Sequence, residues 1–501
     1  MAITFNQIPE NIRTPGAWVE IDNSRALGNR LVQNPHKALI IGQRITEGSV
    51  QPEVLTAITN ETLANGYFGD GSQIARMCAM FKENNPNTEL WAVALSDAAG
   101  AVKASGTIQT SIALSATGFS CSGGGTYYLM VNGVKVYTPM TSGWSTTDVN
   151  SAIAAVVNAN SVIGVTASTN ATSALNLIAV NGGTNGNYIN IRVNYYTGQS
   201  DSLCFIDSAT ITVMATGATD PDLAGVWTII DGERFNYIIQ PYIDASNLTE
   251  IEGELEDRFG PMINLQGHGF TAVRGTAASC TTLGNTRNSP HNTIIGVYDS
   301  PTDPCEWAAA LGAIAAFNLN NDPARPLQYL KLKDVKVPPL ANRFSRSERD
   351  TLLYDGIATY TWDQGGNVLI ERCITTYQTN ATGALDPSYL DIQTLATLGE
   401  IRDQFLIRMT NRFIVPRFKL ADNGFPVQPG SYIATPSTVR QECIALFTLL
   451  RDNGLVENLD NFVENLVVER DSTDPNRVNV LMPPDLVNQF RVLAGTIMFI
   501  L

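Results

Sequence analysis

The sequence predicts a multidomain protein of the α/β and α+β classes. A parallel-sheet α/β domain is interrupted by a β-rich insertion and is followed by an α+β C-terminal domain, with extended segments at both termini. At about 150 residues per domain, the 501 residues are enough for roughly three cores. The composition changes abruptly near residues 101 and 219, and strands alternate with helices on both sides of that stretch.

The α/β domain is predicted to comprise residues 30–100 and 220–353, after an extended segment, 1–29. Apolar strands that alternate with helices are typical of a parallel sheet covered on both faces. In the first part, strands are predicted over 37–42 and 89–95, with a helix at apolar spacing over 60–83. In the second part, the predicted elements are a helix from 220, a strand over 235–242, a helix over 247–259, a strand over 269–274, a helix ending near 283, a strand over 293–298 and a helix over 305–318.

Residues 101–219 are predicted to form a separate β-rich domain. They contain six charged residues, although charged residues make up 16% of the whole chain. Turn-forming residues such as Asn132-Gly133 accompany the strand-like segments 127–137 and 188–196, and one helix is expected over 147–158. Because a domain insertion is tolerated when its ends lie close together on a surface, we expect a peripheral module whose removal leaves the rest folded.

The C-terminal domain is predicted to span residues 354–501. Segments 357–362 and 367–376 flank a DQGG turn and predict a β-hairpin. Two long helices are expected to open at Asp386-Pro387 and Thr435-Pro436, where a capping residue precedes a proline in the first turn. The final strand-like segments are 463–470, 477–482 and 490–501, the last of which is apolar on both faces.

The charge balance argues against nucleic acid as a partner. Asp and Glu total 47 and Lys and Arg 32, which gives a net charge of −15, whereas a polyanion binder normally carries a basic excess or patch. Residues 1–15 lack the features of a signal peptide, so we expect synthesis to end in a cytoplasm. The longest apolar stretch, 492–501, is about half the roughly 20 residues that span a bilayer, so we expect no membrane insertion.

The sequence carries no recognisable catalytic, cofactor or metal motif. Segment 42–48 (GQRITEG) is neither a dinucleotide-binding loop nor a P-loop, and no GxSxG occurs. We do not expect the three histidines, His36, His268 and His291, to act in catalysis. The carboxylates of 250–257 have the pattern of a solvated helix, and the seven widely spaced cysteines fit neither a zinc ribbon nor a disulfide framework. We therefore expect a protein that is not an enzyme and needs no cofactor.

Several segments resemble the contractile tail sheath proteins of the Mu-like phage branch. The resemblance spans nearly the whole chain apart from 101–219. The segments that carry it are 13–20 (RTPGAWVE), 285–307 (NTRNSPHNTIIGVYDSPTDPCEW) with 308–312, 367–405 (NVLIERCITTYQTNATGALDPSYLDIQTLATLGEIRDQF) and 477–501.

The resemblance implies a structural subunit of a bacteriophage tail. Such a subunit polymerises helically around the tail tube and contracts to drive the tube through the host envelope for genome ejection. Its implied partners are copies of itself, the tail tube protein, and the baseplate and tail terminator proteins. It is implied to be assembled in the host cytoplasm and to lie in the virion tail. The low charge and abrupt boundaries of 101–219 lead us to expect, in addition, that this module faces away from the tube.

The resemblance also implies that terminal arms add strands to the C-terminal domain of neighbouring subunits. The sequence is consistent with this, because both ends are strand-like and are suited to β-augmentation. The candidate arm residues are Trp18, Val19, Glu20, Ile21, Val492, Ile497, Phe499 and Leu501.

Two other classes of protein remain open from the residues. One is an α/β enzyme, a hydrolase or transferase, with a carbohydrate-binding β insertion. The other is a different virion or surface protein, such as a tube or an adhesin, which the low charge of 101–219 would also suit. The enzyme needs a convergent acid, base or nucleophile that the sequence does not show, and the adhesin needs an export signal.

Overall fold

The computed structural model describes residues 31, 34–112, 114–115, 118–119, 125–169, 174–196, 198–199, 206–426, 428 and 431–500. Within these residues the chain divides into two compact units. Residues 35–396 and 489–500 belong to the first, here called the central unit. Residues 397–488 belong to the second, the C-terminal unit.

The strands are numbered along the chain. They are β1 (Lys37–Gln43), β2 (Leu55–Ile58), β3 (Glu89–Leu95), β4 (Lys103–Ile112), β5 (Leu114–Ser115), β6 (Gly118–Phe119), β7 (Gly125–Val131), β8 (Val134–Met140), β9 (Val165–Thr169), β10 (Leu175–Gly182), β11 (Ile191–Val193), β12 (Ile206–Ala215), β13 (Tyr237–Ile239), β14 (His268–Arg274), β15 (Asn292–Val297), β16 (Lys331–Lys336), β17 (Ile357–Trp362), β18 (Asn367–Arg372), β19 (Lys419–Leu420), β20 (Ile433–Ala434), β21 (Val456–Glu457), β22 (Val467–Arg470), β23 (Val478–Leu481) and β24 (Asp485–Leu486).

The helices are numbered in the same way. They are α1 (Glu61–Phe68), α2 (Gln73–Asn84), α3 (Thr146–Ala159), α4 (Ala224–Ile229), α5 (Ala245–Phe259), α6 (Ala277–Gly284), α7 (Pro304–Asn321), α8 (Arg346–Tyr354), α9 (Ile392–Met409), α10 (Pro436–Asp452) and α11 (Leu459–Asn465). A π-helical turn, Thr410–Ile414, follows α9 directly.

A single large sheet organises the central unit. Its strand order in the described residues is β16-β18-β17-β15-β14-β13-β1-β3-β2. The pairs from β17 through β3 are parallel, and the strands at both edges are antiparallel. This confirms the predicted α/β class with a parallel sheet.

Both faces of the large sheet are buried, as its apolar strands predict. In β1, Ala38 and Ile40 pack into one hydrophobic cluster, whereas Leu39 and Ile41 pack into another on the opposite face. The Ala-rich helix α7 begins at Pro304, with Asp303 as its N-cap. Small residues along this helix allow it to lie close to the strands.

The predicted hairpin of 357–376 belongs to the large sheet. The predicted domain boundary between residues 353 and 354 had assigned this hairpin to the C-terminal domain. Strand β17 pairs in parallel with β15, and β18 pairs antiparallel with β17. The boundary was misplaced because the hairpin signal is local, whereas the pairing with β15 joins residues about 60 positions apart.

The bounds of two helices differ from those that the sequence predicts. The helix expected over 60–83 is split into α1 and α2, because Gly69 and Gly71 between them adopt φ of 86° and 76°. Helix α9 begins at Ile392, not at Pro387. The Asp386 carboxylate instead accepts hydrogen bonds from the Tyr377 hydroxyl and the Ser388 amide, which holds the intervening segment in a turn.

Residues of 101–219, here called the inserted module, form their own sheets and core. Strands β12-β4-β10-β9 and β11-β7-β8 build two antiparallel sheets, and α3 packs against them. A cluster of buried residues drawn from 104–214 fills the space between these elements. The two ends of the module lie side by side, since Val102 and Ala218 exchange backbone hydrogen bonds of 3.0 and 3.2 Å.

The C-terminal unit contains short strand pairs and helices. Helices α10 and α11 meet through the stacked rings of Phe447 and Phe462, whose centroids are 3.9 Å apart. The strand predicted over 463–470 is a strand only in its second part, β22, because 459–465 forms α11. Strand β23 follows the prediction for 477–482 closely.

Candidate assembly site

The C-terminal end of the chain is an exposed apolar segment. Residues 492–501, here called the C-terminal arm, are described as far as residue 500 and form neither strand nor helix. The side chains of Val492, Ile497 and Phe499 are 82%, 94% and 79% exposed. Contiguous exposed apolar side chains mark an interaction surface in a folded protein.

The sequence predicts a strand over 490–501, and within one subunit the described residues of this segment do not form one. A strand requires a hydrogen-bonded neighbour, and among the described residues the arm pairs with no strand. The other candidate arm residues, Trp18, Val19, Glu20, Ile21 and Leu501, lie outside the described residues, so their role stays a prediction.

A two-stranded sheet in the C-terminal unit presents open edges. Strands β22 and β23 pair with each other from Val467–Leu481 to Arg470–Val478, and the described residues add no third strand. Val467 and Leu481 are 46% and 64% exposed. An isolated pair of strands is marginally stable, and its unpaired backbone groups can accept another strand.

The inserted module covers the carboxyl edge of the large sheet, where open α/β sheets bind ligands. Gln43 ends β1, and its Nε2 donates to the Gly182 carbonyl at 2.7 Å and to Asp97 Oδ1 at 2.8 Å. The Gly182 amide donates to Asp97 Oδ2 at 2.8 Å. Asn181 Nδ2 donates to the Arg44 carbonyl at 2.8 Å. This set of bonds joins the end of β10 to the ends of β1 and β3.

The same edge is covered further along the large sheet. Arg274, the last residue of β14, donates from Nη1 to the carbonyl of Tyr188. Arg192 of β11 makes an ion pair of 2.6 Å with Asp299, which follows β15. The crevice in which a doubly wound sheet binds a cofactor is therefore occupied by the protein's own inserted module.

A buried ion cluster lies beneath this contact. Arg76 of α2 bonds Glu306 Oε1 at 2.9 Å and Asp303 Oδ2 at 3.2 Å, and all three side chains are buried. Burial raises the pKa of Glu306 to about 7, although the charge of Arg76 opposes the rise. A neighbouring cavity of about 20 Å³, large enough for one water molecule, is lined by residues that include Gln43, Arg76 and Asn185.

The three histidines have partners within the central unit. His36 Nδ1 lies 2.8 Å from the Tyr237 hydroxyl, and burial lowers the pKa of His36 to about 4. His268 Nε2 lies 2.8 Å from Thr293 Oγ1, and burial lowers the pKa of His268 as well. His291 Nε2 lies 3.1 Å from Oε2 of Glu256, in α5.

Within the described ranges, no group of three or more His, Cys, Asp and Glu side chains is placed to hold a metal ion. The helices in that part of the chain are too short or too polar to cross a membrane.

Comparison with known proteins decides the family. The model of the phage tail sheath protein central domain matches residues 216–376, and that of the phage tail sheath C-terminal domain matches residues 385–500. The Mu-like prophage FluMu tail sheath protein of Haemophilus influenzae is 38% identical over 503 residues, which cover 100% of both chains. This chain belongs to the phage tail sheath family. Membership of the sheath family confirms the predicted resemblance, makes the protein a structural component of a phage tail, and does not support the enzyme alternative.

Solved sheath structures are also similar to this chain, at low identity. The sheath tail protein of Desulfitobacterium hafniense is 12% identical, covers 94% of this chain and 100% of its own, and has a TM-score of 0.46. The contracted helical sheath of the anti-feeding prophage is 12% identical, with coverages of 98% and 99% and a TM-score of 0.45. The family assignment rests on the sequence comparisons and not on these scores.

Sequence reasoning missed the residues that join the parts of the central unit. Asp97, Asn181 and Gly182 carry no catalytic pattern, and their partners are distant along the chain. Arg491 was missed as well, although it is the last charged residue before ten uncharged ones. That change in composition was the one available signal.

Proposed function

We propose that this sheath-family protein polymerises as a helical sleeve around a tail tube and contracts to drive the tube through the host envelope. The observation that carries the proposal is the C-terminal arm, whose apolar side chains are exposed although the central unit has a large buried core. A helical sleeve uses contacts that do not close on themselves, so each subunit needs two different complementary surfaces. An arm and a receiving sheet edge provide such a pair.

The receiving edge is proposed to be the β22–β23 pair of a neighbouring subunit. An added strand would place Ile497 and Phe499 on one face and Met498 and Ile500 on the other, because side chains alternate along a strand. Each backbone hydrogen bond contributes about 0.5–1.5 kcal/mol net, and each buried large apolar side chain about 1.5–3 kcal/mol. These contributions are modest for one subunit but recur along the whole sleeve.

The N-terminal segment is proposed to act as a second arm. The strand-like residues Trp18 to Ile21 are preceded by Pro9 and Pro15, in a stretch too short to form a core of its own. Two arms per subunit would tie each copy to two neighbours. The remaining proposed partners are the tail tube, baseplate and tail terminator proteins, with assembly in the host cytoplasm.

Contraction without a nucleotide requires stored free energy. We propose that the extended sleeve is kinetically trapped above the contracted one, with the difference held in interfaces between subunits assembled on a tube. Arms that join neighbours through backbone bonds tolerate rotation of the units better than rigid interfaces do. Purified protein without a tube is therefore expected to assemble directly into contracted, wide-bored tubes.

Electron microscopy of the purified protein in negative stain tests the proposal. The full chain should form tubes with helical striation, and a chain ending at Arg491 should remain folded and soluble without forming them. Tubes of normal striation from the truncated chain would show that the subunit contacts lie in the globular units instead.

A matched pair of variants isolates the role of the backbone. The double variant Ile497→Pro, Phe499→Pro removes two strand donors, whereas Ile497→Val, Phe499→Leu keeps the donors and the apolar character. We expect the first to abolish tubes and the second to retain them. Equal assembly by both variants would contradict strand addition.

A further inference from the structure

The base of the C-terminal arm is held to the rest of the central unit by an arginine. Arg491 Nη2 donates to Asp391 Oδ1 at 2.9 Å and to Gln393 Oε1 at 3.3 Å, and Nη1 donates to Gln328 Oε1 at 3.3 Å. The Arg491 side chain is 14% exposed, whereas Phe490 and Val492, on either side of it, are 72% and 82% exposed. Arg491 is therefore a point of attachment between two exposed neighbours.

The groups that receive Arg491 are themselves held in place. Arg372, the last residue of β18, binds the Asp391 carboxylate with both Nε, at 3.1 Å, and Nη2, at 2.9 Å. Gln393 is fully buried near the start of α9. Gln328 also donates from Nε2 to the Phe490 carbonyl at 3.3 Å. The site thus binds both the backbone and the side chain at the base of the arm.

We propose that Arg491 is a positioning residue that fixes where the arm leaves the subunit, an inference that rests on the arm having the proposed assembly role. A carboxylate can accept from two guanidinium groups at once, so Asp391 serves Arg372 and Arg491 together. Anchoring the arm at Arg491 raises its effective concentration at a receiving edge, because the flexible segment is shorter.

The anchor also limits how far the arm can reach. The ten residues from 492 to 501 span at most about 33–36 Å when fully extended. The receiving edge of the neighbouring subunit must therefore lie within that distance of Arg491 in every state of the sleeve. Without the anchor, the free segment would begin earlier in the chain and its direction would not be set.

Trypsin digestion of the unassembled subunit tests the anchor directly. Trypsin must take the Arg491 side chain into its own pocket, so it cuts the 491–492 bond only after the guanidinium has left Asp391. We expect Asp391→Asn to speed this cleavage at least about 10-fold, measured as release of the peptide VLAGTIMFIL. The matched control is Asp350→Asn, which removes an exposed carboxylate of α8 and should leave the rate unchanged.

A second variant covers the case in which Asp391→Asn destabilises the subunit by leaving Arg372 unpaired. Gln328→Ala removes bonds to Phe490 and Arg491 only, and should also speed the cleavage. Cleavage at other arginines, followed in the same digests, reports general unfolding. Wild-type rates at the 491–492 bond in both variants would overturn the proposal.

Assembly measurements distinguish this proposal from the one on which it rests. Arg491→Gln keeps every residue of the arm but loses the anchor, so the concentration needed for tubes should rise about 10-fold, with Arg491→Lys in between. Normal assembly by Arg491→Gln would overturn the positioning role. If the wild-type chain forms no tubes, the proposed function fails, and the digestion of isolated subunits still decides whether the anchor exists.

Discussion

The inserted module and the C-terminal arm both extend from the central unit, yet they are attached in opposite ways. The module is joined along the carboxyl edge of the large sheet by hydrogen bonds to Gln43, Asp97 and Arg274 and by an ion pair with Asp299. The arm is held at its base, at Arg491, and is exposed from the next residue onward. The attachment of the module satisfies polar groups within the subunit. The attachment of the arm leaves its apolar side chains exposed, so that they can contact another copy.

This difference shows that composition is a poor guide to how an appendage is attached. The low charge and abrupt boundaries of 101–219 suggested a peripheral module that could be removed. Its ends do lie side by side, but its base also supplies partners for polar groups at the sheet edge. Buried polar groups that lose their partners carry a full desolvation cost. We therefore now expect that removal of the module destabilises the rest of the chain.

The largest expected effect on folding comes from replacing 103–215 with a short Gly/Ser linker. Asp97, Gln43 and Arg274 would each lose a hydrogen-bond partner in the module, so we expect the remaining chain to lose cooperative unfolding. Thermal unfolding followed by circular dichroism is the measurement. A sharp transition within a few degrees of the full chain would restore the peripheral interpretation.

The next effect is expected from Arg76→Met in the cluster beneath the module. The change removes the ion-pair partner of the buried Asp303 and Glu306, which should lower the free energy of unfolding by about 3–5 kcal/mol at pH 8. Urea unfolding measures the loss. Arg346→Met, at an exposed position of α8, is the control and should stay within about 0.5 kcal/mol of the wild type.

A smaller effect on the free energy of unfolding is expected from the protonation of Glu306. The folded-state pKa of Glu306, about 7, lies above the ordinary glutamate pKa of 4.5, so the folded protein binds this proton more tightly than the unfolded chain does. The resulting stability is fully present below pH 4.5 and is lost as the pH rises through 7. We expect a loss on the order of 3 kcal/mol from this group over that pH range.

Comparison with Glu306→Gln isolates this contribution from other titrating groups. Burial lowers the pKa values of His36 and His268, so these histidines change stability in the opposite sense as the pH rises. The difference in unfolding free energy between the two proteins should therefore shift in favour of the variant between pH 5 and pH 8. A difference that does not vary with pH would show that Glu306 is not titrating there.

The smallest effect on folding is expected from removing the C-terminal arm. Its side chains are exposed in the subunit, so a chain ending at Arg491 should unfold within about 0.5 kcal/mol of the full chain. Thermal unfolding of both chains below the concentration for assembly gives this comparison. A loss above about 2 kcal/mol would mean that the arm packs on its own subunit.

Several parts of the fold could be predicted from local patterns. The apolar run of β1, the proline-capped α10 and the alternation of strands with helices are visible in short windows of sequence, because backbone geometry repeats over two or about four residues. The apolar character of 492–501 was visible as well, although the strand predicted there does not form in the described residues of one subunit. The family, too, was visible in segments such as 285–307, and the sequence comparisons confirm it.

By itself, then, the sequence determined the class of the fold, the elements of the parallel sheet and the sheath family. Only the tertiary structure decided that β17 and β18 complete the large sheet, that the inserted module occupies its carboxyl edge and that Arg491 anchors the arm. The physical reason is separation along the chain. Arg491 lies 100 positions from Asp391, and Gly182 lies 85 positions from Asp97. A hydrogen bond between such residues depends on the path of the whole backbone, and no pattern in a short window records it.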